Sequence, residues 1–495
     1  MSTFQNCIDG AWVDAATGDT FTSTNPADTT DTIGTFPASG AADVDRAVAA
    51  ARAALPDWRA TPAPQRGTIL RRIGDLLTER KAALAQAMTR EMGKTVAETK
   101  GDVQEAIDTA YYAASETRRL FGHTVPSELP DKFNMAIRRP VGVCGIITAW
   151  NFPVAVPTWK IFPALAAGNT MVYKPSEESP HCGVLLVEIL HDAGVPDGVI
   201  NLVHGGGPAG QHLVAHDDVD AISFTGSSET GKAIGEVCGR TNKRVSLEMG
   251  GKNPMIVMDD ADLDLALEGV LWGAFGTTGQ RCTATSRLIL HEAIHDTFVD
   301  MLTEAAQALT LGDGRTDGID VGPLINEGAL QKVQHYVAVG QEEGATLALG
   351  GSRVTGDGRD NGFFFAPTVF TDVTPAMTIA QEEIFGPVLS VFKVSSYEEA
   401  VDVANNTRYG LSSSIYTENV RHSFRAMHDL EAGITYVNGP TIGAEAHMPF
   451  GGVKETGNGH RDGGWTVFDF FTEWKTVYVD FSGELQKAQM DNVDD

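Results

Sequence analysis

The residues around Cys282 are the part of the sequence best suited to covalent chemistry. This cysteine lies in GTTGQRCTA at residues 276–284, where glycines and small polar residues allow a substrate to approach closely. A thiolate is the reactive nucleophile, so the cysteine needs a base or positively charged surroundings. No histidine that could serve as this base lies beside Cys282 in the sequence. The next ones along the chain, His291 and His295, are predicted on a surface helix. The alternative is a buried structural cysteine.

Two more polar residues can complete a covalent site. Glu248 lies in LEMGGKNP, between a predicted strand end and two glycines, and its carboxylate can act as a base through water. Asn151 lies in AWNFP, after a predicted buried strand, and its amide can donate to an oxyanion. The ordinary alternatives are a turn carboxylate and an asparagine that caps or turns the chain.

A glycine-containing turn connects a predicted strand, Ala221–Phe224, to a predicted helix, Lys232–Gly239. This turn, TGSSETG at residues 225–231, can place backbone N–H groups and the positive end of a helix against a pyrophosphate. Its spacing is not the common G-x-G-x-x-G, and a glycine-capped turn without a ligand is the alternative.

Lys174 and Glu177 follow another predicted strand, Thr170–Tyr173. Ligands gather at the carboxyl ends of parallel strands, so this pair can bind the hydroxyl groups of an adenine ribose. The alternative is a solvated surface pair.

The elements that must position these residues alternate between two types. Helical periodicity covers Ala41–Ala54, Pro64–Gly93 and Val96–Phe121. Short apolar runs suited to buried strands follow at Val141–Thr148, Thr170–Tyr173, Val199–Val203, Ala221–Phe224 and Arg244–Leu247. A second series begins at Asn253, with Ser286–Leu290, Val388–Val394, Ser412–Tyr416 and Ile434–Asn438. Strands that alternate with helices predict parallel sheets, so the expected fold class is α/β with two doubly wound domains.

Two segments fit neither series. Residues 120–139 and 468–481 alternate like strands of a small antiparallel addition. We predict one domain from residues 1–119 and 140–250, a second from 251–436, additional segments at 120–139 and 437–485, and a frayed tail at 486–495. A chain of 495 residues exceeds the ~250–300 residues at which single cores stop growing.

Composition excludes several classes of partner. The chain has 37 Lys and Arg against 65 Asp and Glu, a net charge of −28, which repels nucleic acid. We expect either a surface adapted to high salt or simple solubility. No apolar run is long enough for a membrane span, and the N-terminus lacks a secretion signal, so a cytoplasmic location is expected. The five widely spaced cysteines form neither a disulfide framework nor a metal pattern.

The strings together resemble the motif series of the NAD(P)-dependent aldehyde dehydrogenases. They occur in the family's order over nearly the whole chain: WNFP at 150–153, KPSE at 174–177, FTGS at 224–227, LEMGGK at 247–252, GQRC at 279–282, EEIFGP at 382–387 and PFGG at 449–452. The resemblance implies a Rossmann-type cofactor domain, a catalytic domain and an oligomerisation arm. A homodimer or homotetramer is therefore expected.

The resemblance also implies a role for each matching residue. Cys282 attacks the aldehyde to form a thiohemiacetal, Asn151 and the Cys282 N–H bind the oxyanion, and Glu248 activates the water that hydrolyses the thioester. Lys160 relays protons near that glutamate. The implied cofactor-binding residues are Trp150, Lys174, Glu177, Gly207, Phe224, Gly226, Ser227, Glu383 and Phe385. Members that release a CoA thioester generally lack the glutamate, so free acid is the expected product.

The expected substrate is a semialdehyde. The string GNGHRD at 457–462 and the residues around Cys282 are similar to members that act on 2-oxoglutarate semialdehyde. Arg281 can bind a carboxylate at the far end of the substrate, because its planar fork suits bidentate contact. Alternatively, the Arg281 side chain points to solvent or pairs with an acidic residue of the protein instead of contacting the substrate. Another semialdehyde, such as succinate semialdehyde, or a broad range of aldehydes also remains open.

The cofactor is NAD or NADP. A carboxylate at Glu177 would repel the 2′-phosphate of NADP, whereas the resemblance to the subgroup favours NADP or both. Two rival functions are a non-catalytic protein on this scaffold and a cysteine hydrolase without a redox cofactor. Cys282, Glu248 and Asn151 are all present, which argues against the first, and the cofactor motifs argue against the second.

Overall fold

The computed structural model describes residues 2–490, and its N-terminal part contains eleven strands and seven helices. The strands are β1 (Asn6–Ile8), β2 (Ala11–Val13), β3 (Thr20–Asn25), β4 (Asp28–Pro37), β5 (His123–Val125), β6 (Lys132–Pro140), β7 (Val143–Ile147), β8 (Thr170–Lys174), β9 (Ile200–Leu202), β10 (Ala221–Thr225) and β11 (Arg244–Glu248). The helices are α1 (Ala41–Ala60), α2 (Ala63–Met92), α3 (Val96–Glu116), α4 (Ala155–Ala167), α5 (Pro180–Asp192), α6 (Gly207–Ala215) and α7 (Ser228–Thr241).

The C-terminal part repeats the alternation of strands and helices. Its strands are β12 (Asn253–Val257), β13 (Thr285–His291), β14 (Thr346–Leu349), β15 (Thr368–Thr371), β16 (Val388–Val394), β17 (Tyr409–Gly410), β18 (Ser412–Tyr416), β19 (Ile434–Val437), β20 (Val453–Lys454) and β21 (Thr472–Asp480). Its helices are α8 (Leu263–Phe275), α9 (His295–Gln307), α10 (Glu327–Glu342), α11 (Thr378–Gln381), α12 (Tyr397–Asn405), α13 (Val420–Asp429) and α14 (Val467–Phe471).

The first large sheet has the strand order β11-β10-β7-β8-β9-β1-β2. Strands β7 to β11 are parallel, and β1 and β2 extend the sheet in antiparallel fashion. The central strands β7 and β8 are buried on both faces, which explains their mostly apolar sequences. Because they are parallel, the predicted functional residues that follow β7, β8, β10 and β11 lie along one edge.

The second large sheet has the strand order β14-β15-β16-β13-β12-β18-β19. Its strands are parallel except for β14, which pairs with β15 in antiparallel fashion at the edge. The prediction of an α/β fold with two mostly parallel sheets is confirmed. One correction concerns His291, which was expected on a helix but ends β13, while His295 begins α9.

The two segments predicted as an addition form a third, antiparallel sheet with the order β21-β6-β5. Within the predicted arm segment 437–485, β21 joins this sheet. Strand β20 pairs instead with β17, and α14 packs in the core of the N-terminal part. The exact domain boundaries stay a prediction. The predicted tail lies partly outside the described residues, which end at 490.

Helix ends follow local sequence signals. Helix α2 begins after a proline and is capped after Met92 by Gly93, whose φ of 94° is left-handed. Helix α3 begins with a capping box formed by Thr95 and Glu98, and it ends at Glu116, earlier than the predicted Phe121. Thr117 caps that end by donating to a backbone carbonyl. Within residues 2–490 no helix combines the length and the apolar character needed to cross a bilayer.

Candidate active site

A cavity of about 730 Å³ brings the predicted nucleophile and the predicted base together. Cys282 and Glu248 both line it, and Arg281 lines it as well. The apolar part of the wall includes Phe152, Trp159, Phe275, Ile442 and Phe450. The acidic part includes Glu98, Asp102, Glu105 and Glu268. A small organic substrate in this cavity therefore meets a thiol, a carboxyl group and a guanidinium group.

The loop before Cys282 has an unusual backbone. Thr277 and Thr278 have φ of 53° and 58°, in the left-handed region that β-branched residues rarely adopt. Gly279 follows with φ of 66°, and a Cβ atom there would lie 2.2 Å from the carbonyl oxygen of Gly386. Glycine is therefore required at this point, and the loop holds the cysteine in one defined place.

The environment of Cys282 keeps its sulfur protonated. This residue is partly exposed, whereas the other four cysteines are buried, namely Cys7, Cys144, Cys182 and Cys238. Its backbone carbonyl accepts a hydrogen bond of 2.8 Å from the amide of Asn253. Burial of the thiol, followed by the charges of Glu383 and Glu248, raises the pKa of Cys282 to about 12. The proton must therefore leave the sulfur as it attacks.

Glu248 ends β11 and presents a buried carboxyl group that makes no hydrogen bond with the described residues. Burial raises its pKa well above the ordinary value, and the nearby Asp462 raises it further. The charges of Lys160 and Arg461 act in the opposite direction. A Cβ atom on Gly451 would lie 2.5 Å from the Glu248 carboxylate, so glycine leaves the room that this side chain needs. Both oxygens are thus buried and have no partner among residues 2–490.

Lys160 lies on α4 and is fully buried. Its Nζ donates to Asp462 Oδ2 at 2.6 Å and to Ser223 Oγ at 3.2 Å. The structure places this lysine near enough to Glu248 for its charge to lower the pKa of that carboxyl group. Its role in proton relay stays a prediction. Asp462 was quoted only within the string GNGHRD, and sequence reasoning gave it no role. The structure adds it to the site through its contact with Lys160 and its effect on Glu248.

Asn151 contacts the loop that carries the nucleophile. Its side-chain Nδ2 donates to the carbonyl oxygen of Gln280 at 3.1 Å, and the residue is buried. Gln280 in turn donates from its amide to the carbonyls of Thr277 and Pro323. The amide of Asn151 is therefore bound to Gln280, which precedes Cys282 by two residues in the sequence.

Arg281 pairs with an internal acid, one of the two alternatives left open by the sequence. Its Nη2 lies 3.2 Å from Glu98 Oε1, and its Nε donates to Thr277 Oγ1 at 2.9 Å. The guanidinium group also stacks 4.4 Å from the centre of the Trp272 ring. The side chain still lines the cavity. A contact between Arg281 and substrate stays a prediction.

Lys174 and Glu177 lie where β8 ends, close to the start of α6 at Gly207. The buried Nζ of Lys174 donates to the carbonyls of Pro175 and Gly205 at 2.9 and 2.7 Å. The exposed carboxylate of Glu177 lies 3.8 Å from the same Nζ. Burial lowers the pKa of Lys174, and Glu177 partly offsets this effect. Lys174 is thus a buried cation held by two backbone carbonyls, and it is not part of a fully solvated surface pair.

The glycine-containing turn leads from β10 into α7. Ser227 caps the helix by accepting a hydrogen bond of 3.3 Å from the Thr230 N–H. The Phe224 ring lies beneath the turn, where a Cβ atom on Gly226 would approach it to 2.5 Å. The hydroxyl of Thr225 is buried and has no hydrogen-bond partner among residues 2–490. A positive helix end with an unused hydroxyl suits a pyrophosphate.

Trp150, Glu383 and Phe385 form a third group, and the Glu383 carboxylate is near enough to Cys282 to raise the pKa of its thiol. Glu383 accepts a hydrogen bond of 3.0 Å from the Gly251 N–H. Phe385 has φ of 60°, and its ring meets the Trp150 ring edge to face at 5.5 Å. That these residues and the two groups above hold a dinucleotide stays a prediction.

The aldehyde dehydrogenase family model matches residues 12–477. The chain belongs to the aldehyde dehydrogenase family. It is 43% identical over 480 residues to the alpha-ketoglutaric semialdehyde dehydrogenase of Bacillus subtilis, covering 97% of this chain and 98% of the relative. It is 44% identical over 476 residues to the alpha-ketoglutarate semialdehyde dehydrogenase of Haloferax volcanii, covering 96% and 98%.

Solved structures agree with this assignment. The fold matches an NAD-dependent aldehyde dehydrogenase from Sinorhizobium meliloti with a TM-score of 0.95 at 39% identity, covering 98% of this chain and 96% of that one. It also matches an NADP-dependent enzyme from E. coli with a TM-score of 0.93 at 39% identity, covering 97% and 98%. The family resemblance predicted from the motifs is confirmed.

Proposed function

We propose that this aldehyde dehydrogenase oxidises 2-oxoglutarate semialdehyde to the free dicarboxylic acid through covalent catalysis by Cys282. The observation that supports this most strongly is that Cys282, Glu248 and Arg281 line one cavity. Two relatives named for this semialdehyde match nearly the whole chain at 43% and 44% identity. Succinate semialdehyde or a broader set of aldehydes is the second candidate.

The first step joins the sulfur to the carbonyl carbon. Cys282 Sγ forms the C–S bond, its proton passes to water in the cavity, and the C=O π bond breaks so that the former carbonyl oxygen becomes an oxyanion. The Asn151 amide has two N–H groups, of which one is bonded to the Gln280 carbonyl. The other N–H and the Cys282 backbone N–H would donate to the oxyanion, and each such donor typically contributes ~10²–10³ in rate.

The second half of the reaction releases the acid. When bound, the nicotinamide dinucleotide supplies the hydride acceptor that converts the thiohemiacetal into a thioester. Glu248 then takes a proton from water, the hydroxide adds to the acyl carbon, and the C–S bond breaks. Both Glu248 oxygens are unpaired, which suits this role. The proton would pass onward through the neighbouring Lys160 and Asp462, which are hydrogen-bonded to each other.

The cofactor would be NAD or NADP. Lys174 and Glu177 would hold the adenine ribose, and Gly207, Gly226 and Ser227 would lie along the pyrophosphate. Trp150, Phe224, Glu383 and Phe385 would complete the site. The exposed Glu177 carboxylate favours NAD, because it would repel a 2′-phosphate. Solved relatives include an NAD-dependent and an NADP-dependent enzyme.

We propose that the protein works in the cytoplasm as a homodimer or homotetramer. The three-stranded sheet carries exposed apolar side chains that suit contact with another copy, including Phe133, Ile137, Trp474, Tyr478 and Val479. The high acidic charge supports adaptation to concentrated salt.

A substrate panel tests the proposed function. The protein is mixed with NAD or NADP and with aldehydes that do or do not carry a terminal carboxylate, and reduced nicotinamide and free acid are followed together. We expect the highest kcat/KM with 2-oxoglutarate semialdehyde. Arg281→Ala should lose more activity with this substrate than with a neutral aldehyde. A panel in which neutral aldehydes are preferred contradicts the proposed substrate.

A further inference from the structure

Helix α3 is attached to both of the chain segments that carry the proposed oxyanion donors. Asn151 lies between β7 and α4, and Cys282 follows residues 276–281, the nucleophile loop. Glu98 on α3 accepts hydrogen bonds from this loop. Asp102, one turn further along the same helix, accepts a hydrogen bond of 2.7 Å from the Ala155 N–H. The two donors therefore come from distant parts of the sequence, and a single helix contacts the segment of each.

The Ala155 N–H is the first donor of α4, and α4 itself offers it no partner. The first N–H groups of a helix have no carbonyl one turn back to which they could donate. Val154, the residue before the helix, has no side-chain acceptor that could cap it. Asp102 supplies the missing acceptor from another helix, and its negative charge suits the positive end of α4. The start of α4 therefore depends on Asp102.

Lys94 makes a charged acceptor possible in the interior. Its Nζ lies 2.6 Å from Asp102 Oδ2, whereas Asp102 Oδ1 accepts from the Ala155 N–H. Both charged side chains are fully buried, so each charge would be costly without the other. The same Nζ lies 3.8 Å from the centre of the Phe152 ring, which lines the cavity. The buried pair therefore holds the segment before α4 at two points.

A third contact fixes this segment from the other side. Asn151 Nδ2 donates to the Gln280 carbonyl on the nucleophile loop, so one N–H of its amide is occupied. The direction of the remaining N–H then depends on where the backbone of Asn151 lies. Glu98 and Asp102 are ~6 Å apart along the axis of α3, at 1.5 Å per residue. A helix attached at both points keeps the two segments at a constant separation.

We propose that Asp102 is a positioning residue, which holds the start of α4 so that the free N–H of the Asn151 amide faces the oxyanion formed at Cys282. This inference rests on the proposed function, in which Asn151 is an oxyanion donor. Asp102 acts through the position of Asn151 and not on the reacting atoms. Its effect on the reaction should therefore disappear when the Asn151 amide is removed.

The test removes both buried charges and varies only the acceptor. Lys94→Met/Asp102→Asn keeps an oxygen that can accept from the Ala155 N–H, and Lys94→Met/Asp102→Leu has nearly the same shape without one. Neither variant leaves a lone buried charge, which would strongly destabilise the fold. Lys94→Met/Asp102→Ala, which cannot clash, replaces the leucine variant if that variant does not fold. Thermal melting of each variant is measured first.

The rate of formation of reduced nicotinamide in the first turnover is then measured at saturating pentanal and at saturating 2-oxoglutarate semialdehyde. We expect the asparagine variant to react about tenfold faster than the leucine variant, because a misplaced oxyanion donor loses part of the ~10²–10³ that each donor typically contributes. The difference should lie in this rate and not in the KM for the aldehyde, since the oxyanion forms only during the reaction. In an Asn151→Ala background, the two variants should react at equal rates.

Equal rates of the two variants in the presence of Asn151 overturn the inference, because the acceptor then has no effect on the reaction. A difference confined to KM overturns it too. The same difference in rate in the Asn151→Ala background also overturns it, since Asp102 then acts on the fold in general and not through Asn151. All three outcomes leave aldehyde oxidation by the wild type intact. A wild-type protein that oxidises neither aldehyde with NAD or NADP contradicts the proposed function instead.

Discussion

The chemistry of single residues centres on Glu248, which the fold buries without a hydrogen bond from the described part of the chain. Such a group is costly unless it has a function, since a buried unpaired polar group destabilises a protein by about 1–3 kcal/mol. Its raised pKa makes it a stronger base once it has lost its proton. The burial that destabilises the fold thus suits a residue that must take a proton from water.

Replacing Glu248 with Gln separates the two halves of the reaction. In Glu248→Gln we expect the rapid formation of reduced nicotinamide in the first turnover to remain, because the thiohemiacetal still forms and is oxidised. Release of the acid should slow by about 10²-fold or more, the usual contribution of a general base. Stopped-flow measurement of nicotinamide and quenched-flow measurement of acid check this. Equal loss of both signals would argue against a water-activating role.

Replacing Asp462 with Asn shifts the pH dependence of acid release. Asp462 raises the pKa of Glu248, so its removal should lower that pKa. Because Glu248 works only when ionised, the rising limb of the rate of acid release should move to lower pH. The pH profile of single-turnover hydrolysis measures this. A limb that stays in place or moves upward would show that Asp462 does not control Glu248.

Residue types and motif strings were enough to predict Cys282, Glu248 and Asn151 as one site. They could not predict the contact between Arg281 and Glu98, because 183 residues separate them and only the folded chain brings α3 to the nucleophile loop. The same reason hid Asp462. It is an ordinary acidic residue in the sequence, and its contact with Lys160 and its effect on Glu248 give it a place in the site.

The nucleophile loop depends on an element from the other half of the chain. Glu98, in the first turn of α3, accepts hydrogen bonds from the N–H and hydroxyl of Thr277 and from Arg281. Its second oxygen accepts from Thr95 at the start of its own helix. One carboxylate therefore caps α3 and fixes the left-handed residues that precede Cys282.

Replacing Glu98 with Ala should loosen that loop. The loss of several hydrogen bonds to a charged group predicts a decrease of about 1–3 kcal/mol in the free energy of unfolding. We also expect kcat to fall, because Cys282 is no longer held in one place. Denaturant unfolding and steady-state kinetics check both. Glu79→Ala, which removes an exposed pair with Arg72, is the control. A kcat equal to that of the control would contradict the role assigned to Glu98.

Central strands were easier to predict than edge strands. The bounds of β16 and β18 agree with the predicted ranges. Strand β16, VLSVFKV, is the largely apolar run expected of a buried parallel strand, whereas β18, SSSIY, is buried although its first three residues are serines. Strands β3 and β4 were missed, since their sequences, TFTSTN and DTTDTIGTFP, are mostly polar. Helix α1 continues past the predicted end at Ala54, where Leu55 and Trp58 are buried on either side of Pro56.

For the whole molecule, charge is the property that composition alone could predict. A net charge of −28 makes the folded state repel itself in dilute buffer, and salt screens that repulsion. Order along the chain predicted the two sheets and the third, smaller one. Membership of the family could be predicted because seven motifs occur in the family's order. No single motif could have established it.

We therefore expect thermal stability to rise from dilute to molar salt. The melting temperature in sodium chloride and in potassium chloride measures this, with activity followed in parallel. Both salts should act alike if screening is the cause. A melting temperature that does not change with salt would contradict adaptation of this surface to high ionic strength.

The most direct test of the central claim is turnover by Cys282→Ala, with Cys238→Ala as a control for the loss of a buried cysteine. We predict that Cys282→Ala forms no reduced nicotinamide with any aldehyde and still binds the cofactor as the wild type does, measured by fluorescence titration. Cys238→Ala should remain active. Sustained aldehyde oxidation by Cys282→Ala would contradict covalent catalysis at this residue.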